Sequence, residues 1–173
     1  VAGGVLNTLG ITSLINYFSF EYFYSKIKNY SDFLGLNYYT IKRLPGSLSA
    51  LPRQGWMVDM RWEIYPEGIY HRLMALRRYG KPIYITENGS SDQDDSKRLE
   101  YIKNHLTWIH KAIQDGADVK GYLYWSLLDN FEWAAGYKPK FGLVAIDYAT
   151  LTRQVRPSAL EYAKIIKANQ LDI

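Results

Sequence analysis

Short apolar segments alternate with amphipathic helical patterns along most of this chain, and this alternation constrains the fold more than any other feature. The apolar segments are DFLGLNYYT at 32–40, KPIYITENG at 81–89 and GYLYWSLLDNFEW at 121–133. Helical patterns with one apolar face occupy 66–79 and 97–115 between them. Parallel strands need a long crossover, usually a helix, so this order predicts parallel βαβ units in an α/β fold.

Turn and capping residues delimit the remaining predicted elements. Pro66 and Gly80 bound the first of these helices, and a residue of the Asp94–Ser96 segment is expected to cap the second. We also predict a helix over 8–30, a long loop over 42–65, a small hairpin over 141–153 and a last helix from Pro157 to about 169. Three strands are too few to close a barrel, since a complete (β/α)8 barrel takes about 250 residues.

The apolar pattern also predicts which faces are buried. The 32–40 segment is a nearly continuous apolar run, which is typical of a strand buried on both faces. In the 97–115 helix, the predicted buried face consists of Leu99, Ile102, Leu106, Ile109 and Ile113. Asp92, Asp94 and Asp95 precede this helix in a polar loop, and we expect their carboxylates to be solvated.

Composition and charge exclude several classes of function. Lysine and arginine outnumber aspartate and glutamate by only 21 to 17, which argues against nucleic-acid binding. The absence of cysteine excludes disulfides and thiolate metal sites. No apolar run approaches the ~18 residues of a membrane span, so we expect no membrane partner. Aromatic residues make up 16% of the chain, which fits either a large aromatic core or a carbohydrate site whose rings stack on sugar C–H faces.

Polar and aromatic residues follow each of the three predicted strands at its carboxyl end. The first strand ends at Asn37 and Tyr39, the second at Glu87 and the third at Trp125, with Glu132 close behind. In β/α barrels these ends meet at one rim, where active sites are built. The pattern therefore predicts a site assembled from several strands, with three ordinary polar strand ends as the alternative.

Four segments of the chain resemble those of a known protein family: DFLGLNYYT, DMRWEIYPEGIY, YITENG and, most specifically, YWSLLDNFEWAAGYKPKFGLVAIDY. In order and spacing they resemble the C-terminal part of glycoside hydrolase family 1, the β-glucosidase family. The resemblance implies the C-terminal portion of a (β/α)8 TIM barrel, with residues 1–173 forming a single partial barrel domain that lacks the N-terminal half. It also implies a retaining β-glycosidase, in which one carboxylate attacks the anomeric carbon and an acid about 5 Å away protonates the leaving oxygen.

The resemblance implies a role for each candidate site residue. Glu87 corresponds to the catalytic nucleophile and Tyr39 to the tyrosine whose hydroxyl donates to it. The expected substrate-binding residues are Asn37 at the rim, Trp62 on the aglycone side, Trp125 as the floor beneath the sugar, Glu132 and Trp133 at the C4 and C6 hydroxyls, and Phe141 as an aromatic wall. Because Glu132 would repel a 6-phosphate, we expect an unphosphorylated glucoside, galactoside or fucoside. Arg61 departs from the family pattern, in which a glycine precedes this tryptophan.

The Asn-Glu-Pro motif that carries the family's acid/base glutamate does not occur in this sequence. The chain also begins at Val1 and not at a methionine, which suggests processing, cleavage or a fragment. We therefore expect the isolated chain to be inactive and to need the N-terminal half of the barrel as its partner. The alternatives are a catalytically incomplete sugar-binding module and a structural half-barrel that associates with a second copy of the chain. No cofactor is expected, and the compartment is left open with the cytoplasm favoured.

Overall fold

The fold is described for residues 21–41 and 62–171 by a computed structural model, and its elements follow the predicted alternation. In chain order they are α1 Tyr22–Ile27, β1 Leu34–Asn37, α2 Glu67–Arg77, β2 Ile83–Asn88, α3 Arg98–Gln114, β3 Val119–Tyr124, β4 Val144–Ile146, β5 Arg153–Val155 and α4 Pro157–Ala168. Most of the predicted helix over 8–30 and loop over 42–65 lies outside the described residues, as does Arg61. Within those residues, no helix is long and apolar enough to cross a bilayer.

Strands β1, β2 and β3 form one parallel sheet in that order, as the βαβ prediction requires. Leu36 pairs with Ile85, and Ile85 pairs with Tyr122, so the three carboxyl ends meet at one edge of the sheet. The third strand ends at Tyr124, next to its predicted end at Trp125, and the chain then leaves the sheet. Strands β4 and β5 pair in antiparallel fashion and confirm the predicted hairpin.

The core lies between the sheet and helices α2 and α3. Its central side chains, each at most 4% exposed, are Leu34, Leu36, Ile69, Leu73, Leu76, Ile83 and Ile85. Burying each of these side chains stabilises the fold by about 1.5–3 kcal/mol. The apolar face predicted for the 66–79 helix, with Ile69, Leu73 and Leu76, therefore lies in this core.

The expectation that the first strand is buried on both faces is wrong. Only Leu34 and Leu36 of β1 are buried, whereas Gly35 and Asn37 are exposed. The helices cover one face of the sheet, and the opposite face is open in the part of the chain that the structure describes. Leu123 of β3 lies on that open face with 57% of its surface exposed.

Helix α3 buries a face that is rotated from the predicted one. Its buried residues are Arg98, Tyr101, Ile102, His105, Ile109 and Ala112. Of the predicted face, Ile113 is 44% exposed. The rotation has a physical reason: Tyr101 accepts a hydrogen bond from Asn88 of β2 and packs on His105, with ring centroids 4.0 Å apart. The polar side chain of Asn88 thus turns Tyr101 and His105 of α3 towards the sheet, where the periodicity predicted aliphatic residues.

The predicted solvation of the aspartates before α3 is wrong for Asp92 and Asp95. Oδ2 of Asp92 accepts hydrogen bonds from the backbone N–H groups of Lys97 and Arg98, both at 2.9 Å, so Asp92 caps α3 and the Asp94–Ser96 segment does not. Asp95 accepts from the backbone N–H of Ser158 at 2.9 Å and thereby caps α4. Both carboxylates are buried because they satisfy the free N–H groups of a helix start.

Candidate active site

The carboxylate of Glu87 lies at the carboxyl end of β2, beside the end of β1. Glu87 pairs with Asn37 in the sheet, and its carbonyl accepts a hydrogen bond from the backbone N–H of Tyr38. This register brings Tyr39 within reach, and its Oη donates to Oε2 of Glu87 at 2.6 Å. A hydroxyl–carboxylate distance this short is typical of a charge-assisted hydrogen bond.

The hydroxyl of Tyr39 is held in its protonated, donating form. Burial raises the pKa of Tyr39 well above its usual value, and the hydrogen bond to Glu87 raises it further. The nearby charges of Glu87 and Glu132 act in the same direction. Tyr39 therefore remains a hydrogen-bond donor to Glu87 throughout the physiological pH range.

A pocket of about 210 Å³ opens at this edge of the sheet. It is lined by Tyr39, Trp62, Glu87, Trp125, Glu132, Trp133 and Phe141. The rings of Tyr39, Trp62 and Phe141 contact one another, with centroids 5.6, 6.2 and 6.4 Å apart. Aromatic walls and two carboxylates together offer stacking surfaces and hydrogen-bond acceptors to a small polyol ring.

Gly89 allows the ends of β2 and β3 to approach each other beneath this pocket. A Cβ at position 89 would collide with the carbonyl oxygen of Trp125. The backbone N–H of Trp125 donates to the carbonyl of Asn88 at 2.9 Å. The Asn-Gly pair after Glu87 therefore lets the Trp125 backbone lie close to the end of β2, and does not form a simple surface turn.

Glu132 is oriented by the loop that follows β3. Nδ2 of Asn130 donates to Oε2 of Glu132 at 2.9 Å, and Oγ of Ser126 donates to Oδ1 of Asn130 at 3.2 Å. The next residue, Trp133, has a φ of 44°, in the left-handed region that a bulky residue rarely adopts. Such an outlier is a feature of functional sites, and here it accompanies a ring that is 83% exposed beside the pocket.

Asn37 is the predicted site residue that does not line the pocket. Its Oδ1 accepts a hydrogen bond from Oγ1 of Thr86 at 2.6 Å on the open face of the sheet. The structure brings the other predicted residues together around one cavity, although they come from four separate stretches of the chain. The part that each of them plays in chemistry remains a prediction.

Sequence analysis missed Asn88, which ties the strand ends together below the pocket. The side chain is fully buried. Its Nδ2 donates to the carbonyl of Tyr38 at 2.6 Å and to Oη of Tyr101 at 2.8 Å, and its Oδ1 accepts from Oη of Tyr122 at 2.8 Å. An Asn-Gly pair after an apolar run normally indicates a turn, so nothing in the local sequence marks this residue as a buried connection.

Asp129 is a second buried group that sequence analysis did not single out. It accepts hydrogen bonds from the backbone N–H of Gly142 at 2.9 Å and from both terminal nitrogens of Arg156. Burial alone would raise the pKa of Asp129, but the Arg156 guanidinium and the Gly142 N–H together hold it below its usual value. This pair supports the chain next to Phe141 from outside the pocket.

Among residues 21–41 and 62–171, no group of three or more His, Cys, Asp or Glu side chains is placed to hold a metal ion. His105 is buried on α3, and its Nδ1 bonds to the carbonyl of Tyr101 at 2.8 Å.

Comparison with solved structures supports the fold directly. The beta-glycosidase from Pyrococcus horikoshii matches with a TM-score of 0.74 and 44% identity, over 83% of this chain and 36% of that one. The beta-glucosidase from Thermotoga maritima in complex with galacto-hydroximolactam matches with a TM-score of 0.76 and 42% identity, over 86% and 37%. The predicted fold class, the C-terminal portion of a (β/α)8 barrel, is confirmed.

Sequence comparison gives the same family. The Beta-galactosidase of Sulfolobus acidocaldarius is 40% identical in an alignment that covers 83% of this chain and 33% of that protein. The Beta-glucosidase A of Thermotoga maritima is 42% identical in an alignment that covers 86% of this chain and 37% of that protein. The chain thus spans about a third of the length of the curated relatives it matches. The model of glycosyl hydrolase family 1 matches residues 10–171, and the chain belongs to that family.

Proposed function

We propose that this chain supplies the nucleophile and much of the sugar pocket of a retaining β-glycosidase that acts on unphosphorylated β-D-glucosides or related glycosides. The observation that carries the proposal is the 2.6 Å hydrogen bond from Tyr39 to Glu87 at the wall of an aromatic pocket. A carboxylate that accepts a short hydrogen bond beside stacking rings suits attack on a sugar's anomeric carbon. Membership of the family favours this chemistry over other uses of a carboxylate.

The reaction proceeds in two displacements. An oxygen of Glu87 attacks C1 of the sugar and forms a glycosyl–enzyme ester, while an acid protonates the departing oxygen. Water then attacks C1 from the opposite side, and the same acid, now a base, takes its proton. Tyr39 donates to the nucleophile's carboxylate before the first displacement and again as the charge returns in the second.

Each of the remaining pocket residues binds a different part of the substrate. The Trp125 ring forms the floor beneath the sugar, and Glu132 with Trp133 binds the hydroxyls at C4 and C6. Phe141 closes the wall beside Tyr39, and Trp62 lies on the aglycone side. Asn37 acts from outside the cavity, through its hydrogen bond with Thr86 at the end of β2.

The acid/base group comes from a partner, the N-terminal half of the barrel. Two observations support this requirement. No Asn-Glu-Pro motif occurs in the 173 residues, and the second carboxylate in the pocket, Glu132, is already hydrogen-bonded by Asn130. The N-terminal half would also bury the exposed apolar surface around Leu123 on the open face of the sheet. Residues 1–173 are accordingly one partial barrel domain.

The test uses a fusion protein in which this chain replaces the matching segment of the Thermotoga maritima Beta-glucosidase A. We expect this fusion to hydrolyse a chromogenic β-glucoside. The remaining N-terminal part of the Thermotoga protein, without this chain, should be inactive. Glu87→Gln should abolish hydrolysis, whereas Glu67→Gln, which changes a carboxylate at the start of α2 outside the pocket, should not. Equal activity in the two variants would refute the role of Glu87.

The same material separates the two alternatives. A sugar-binding module would bind a glucoside analogue in calorimetry but show no turnover in the fusion. A structural half-barrel would bind no sugar, and the isolated chain would sediment as a stable dimer, because a second copy would then cover the open face at Tyr84 and Leu123.

A further inference from the structure

Arg98 is a fully buried cation that the proposed reaction does not use. It is the first residue of α3, and its side chain has 0% exposure. Nε donates to Oδ1 of Asp95 at 2.7 Å. The terminal nitrogens donate to the carbonyl oxygens of Ser90, Asp92, Lys140 and Phe141 and to Oη of Tyr124, at 2.5–3.0 Å. All of these partners are oxygen acceptors arranged around one planar guanidinium.

The partners of Arg98 belong to three different parts of the pocket. Ser90 and Asp92 lie in the loop that leaves Glu87. Tyr124 is the last residue of β3 and precedes the Trp125 ring. Phe141 lines the pocket itself. One side chain behind the cavity therefore connects the nucleophile's loop, the floor and the aromatic wall.

Four of the six acceptors are backbone carbonyls, which no other side chain would serve equally well. A guanidinium presents five N–H donors in a fixed plane, whereas a lysine ammonium presents three on a flexible stem. Among the residues that the structure describes, Arg98 forms an ion pair with Asp95 alone, and this pair offsets only part of the cost of burying the charge. The set of contacts is thus suited to fixing geometry more than to adding stability.

We propose that Arg98 is a positioning residue for glycoside hydrolysis, and this inference rests on the proposed function. It holds Phe141 against Tyr39, whose ring centroid is 6.4 Å away and whose hydroxyl donates to Glu87. It also holds the loop that begins just after Glu87. Loss of the guanidinium lets the wall and the nucleophile shift relative to each other, and misplacing a reacting group by about 1 Å can cost about 100-fold in rate.

The kinetic test compares Arg98→Lys and Arg98→Ala with Leu73→Ala in the fusion protein. Leu73 is fully buried behind the sheet, away from the pocket, and serves as the control for lost stability. Measured on folded protein, both Arg98 variants should lose about 10- to 100-fold in kcat, and Leu73→Ala should lose less than about threefold. Millimolar guanidinium should restore part of the activity of Arg98→Ala and leave Leu73→Ala unchanged. Arg98→Lys keeps the charge and most of the side-chain volume, so its kcat can be measured even if Arg98→Ala does not fold.

A structural measurement separates this inference from the proposed function. In the unchanged fusion, NMR should show contacts between the Phe141 and Tyr39 rings, and these should be lost in Arg98→Lys but kept in Leu73→Ala. An inactive fusion that shows this loss of contacts would refute the proposed reaction and leave the positioning by Arg98 standing. Ring contacts that persist in Arg98→Lys, or equal kcat values for Arg98→Lys and Leu73→Ala, would overturn the inference.

Discussion

Tyr39→Phe removes the hydroxyl that donates to Glu87 and leaves the ring in place. The bond is 2.6 Å long and its acceptor is a carboxylate, so its loss is worth about 1.5–3 kcal/mol where the carboxylate is charged. In the first displacement the carboxylate loses its charge as it bonds to C1, and the hydrogen bond weakens. In the second displacement the charge returns, and the hydrogen bond stabilises that transition state.

The variant should therefore slow hydrolysis of the glycosyl–enzyme more than its formation, by about 10- to 150-fold. The assay is a rapid-mixing experiment on the fusion protein with an activated aryl β-glucoside. We expect a burst of released phenol followed by a slow steady state, with the glycosyl–enzyme mass dominating in the quenched sample.

The control for this experiment is Tyr70→Phe. Tyr70 also donates to a carboxylate, Oδ2 of Asp115, at 2.8 Å, but at the surface far from the pocket. It should leave both displacements unchanged. A Tyr39→Phe enzyme that turns over within about threefold of the unchanged fusion, with no accumulated intermediate, would refute the assigned role of this hydrogen bond.

Three further changes test other parts of the account. Asn130→Ala removes the hydrogen bond that orients the carboxylate of Glu132 and should raise KM about tenfold with little change in kcat. The reason is that Glu132 binds the sugar hydroxyls equally in the ground and transition states. Gly89→Ala should destabilise the fusion by more than about 1 kcal/mol in denaturant titrations, since the new Cβ meets the carbonyl of Trp125. Burial lowers the pKa of His105 to about 4 from 6.5, so the unfolded chain takes up its proton first as the pH falls. The free energy of unfolding should therefore drop by up to about 1.4 kcal/mol per unit between pH 6.5 and 4, and His105→Phe should remove that part of the slope.

The sheet and the pocket could be predicted from sequence because they depend on local patterns. The alternation of apolar runs and amphipathic helices fixed the parallel order of β1, β2 and β3. Since parallel strands point the same way, Tyr39, Glu87 and Trp125 had to meet at one edge. The predicted roles of the site residues then came from the family resemblance of the YITENG and DNFEW segments.

What sequence analysis missed depends on partners distant along the chain. Arg98 and Asp92 look like solvated charges, and their burial follows from carbonyl and N–H groups that only the folded loops present. The face of α3 is rotated because Asn88 bonds Tyr101 from the sheet, and helical periodicity carries no information about that contact. The open face of β1 was mistaken for a buried one because an apolar run shows how much a strand can bury but not which elements will cover it.

The measurement that tests the central claim most directly is the site of covalent labelling by a 2-deoxy-2-fluoro-β-glucoside, whose glycosyl–enzyme hydrolyses very slowly. The fusion protein is inactivated with the reagent, digested, and the labelled peptide is sequenced by mass spectrometry. The account predicts one label, on Glu87, in the peptide that contains YITENG. A label on Glu132 or any other residue would contradict it, as would hydrolysis of glucosides by a fusion that never becomes labelled.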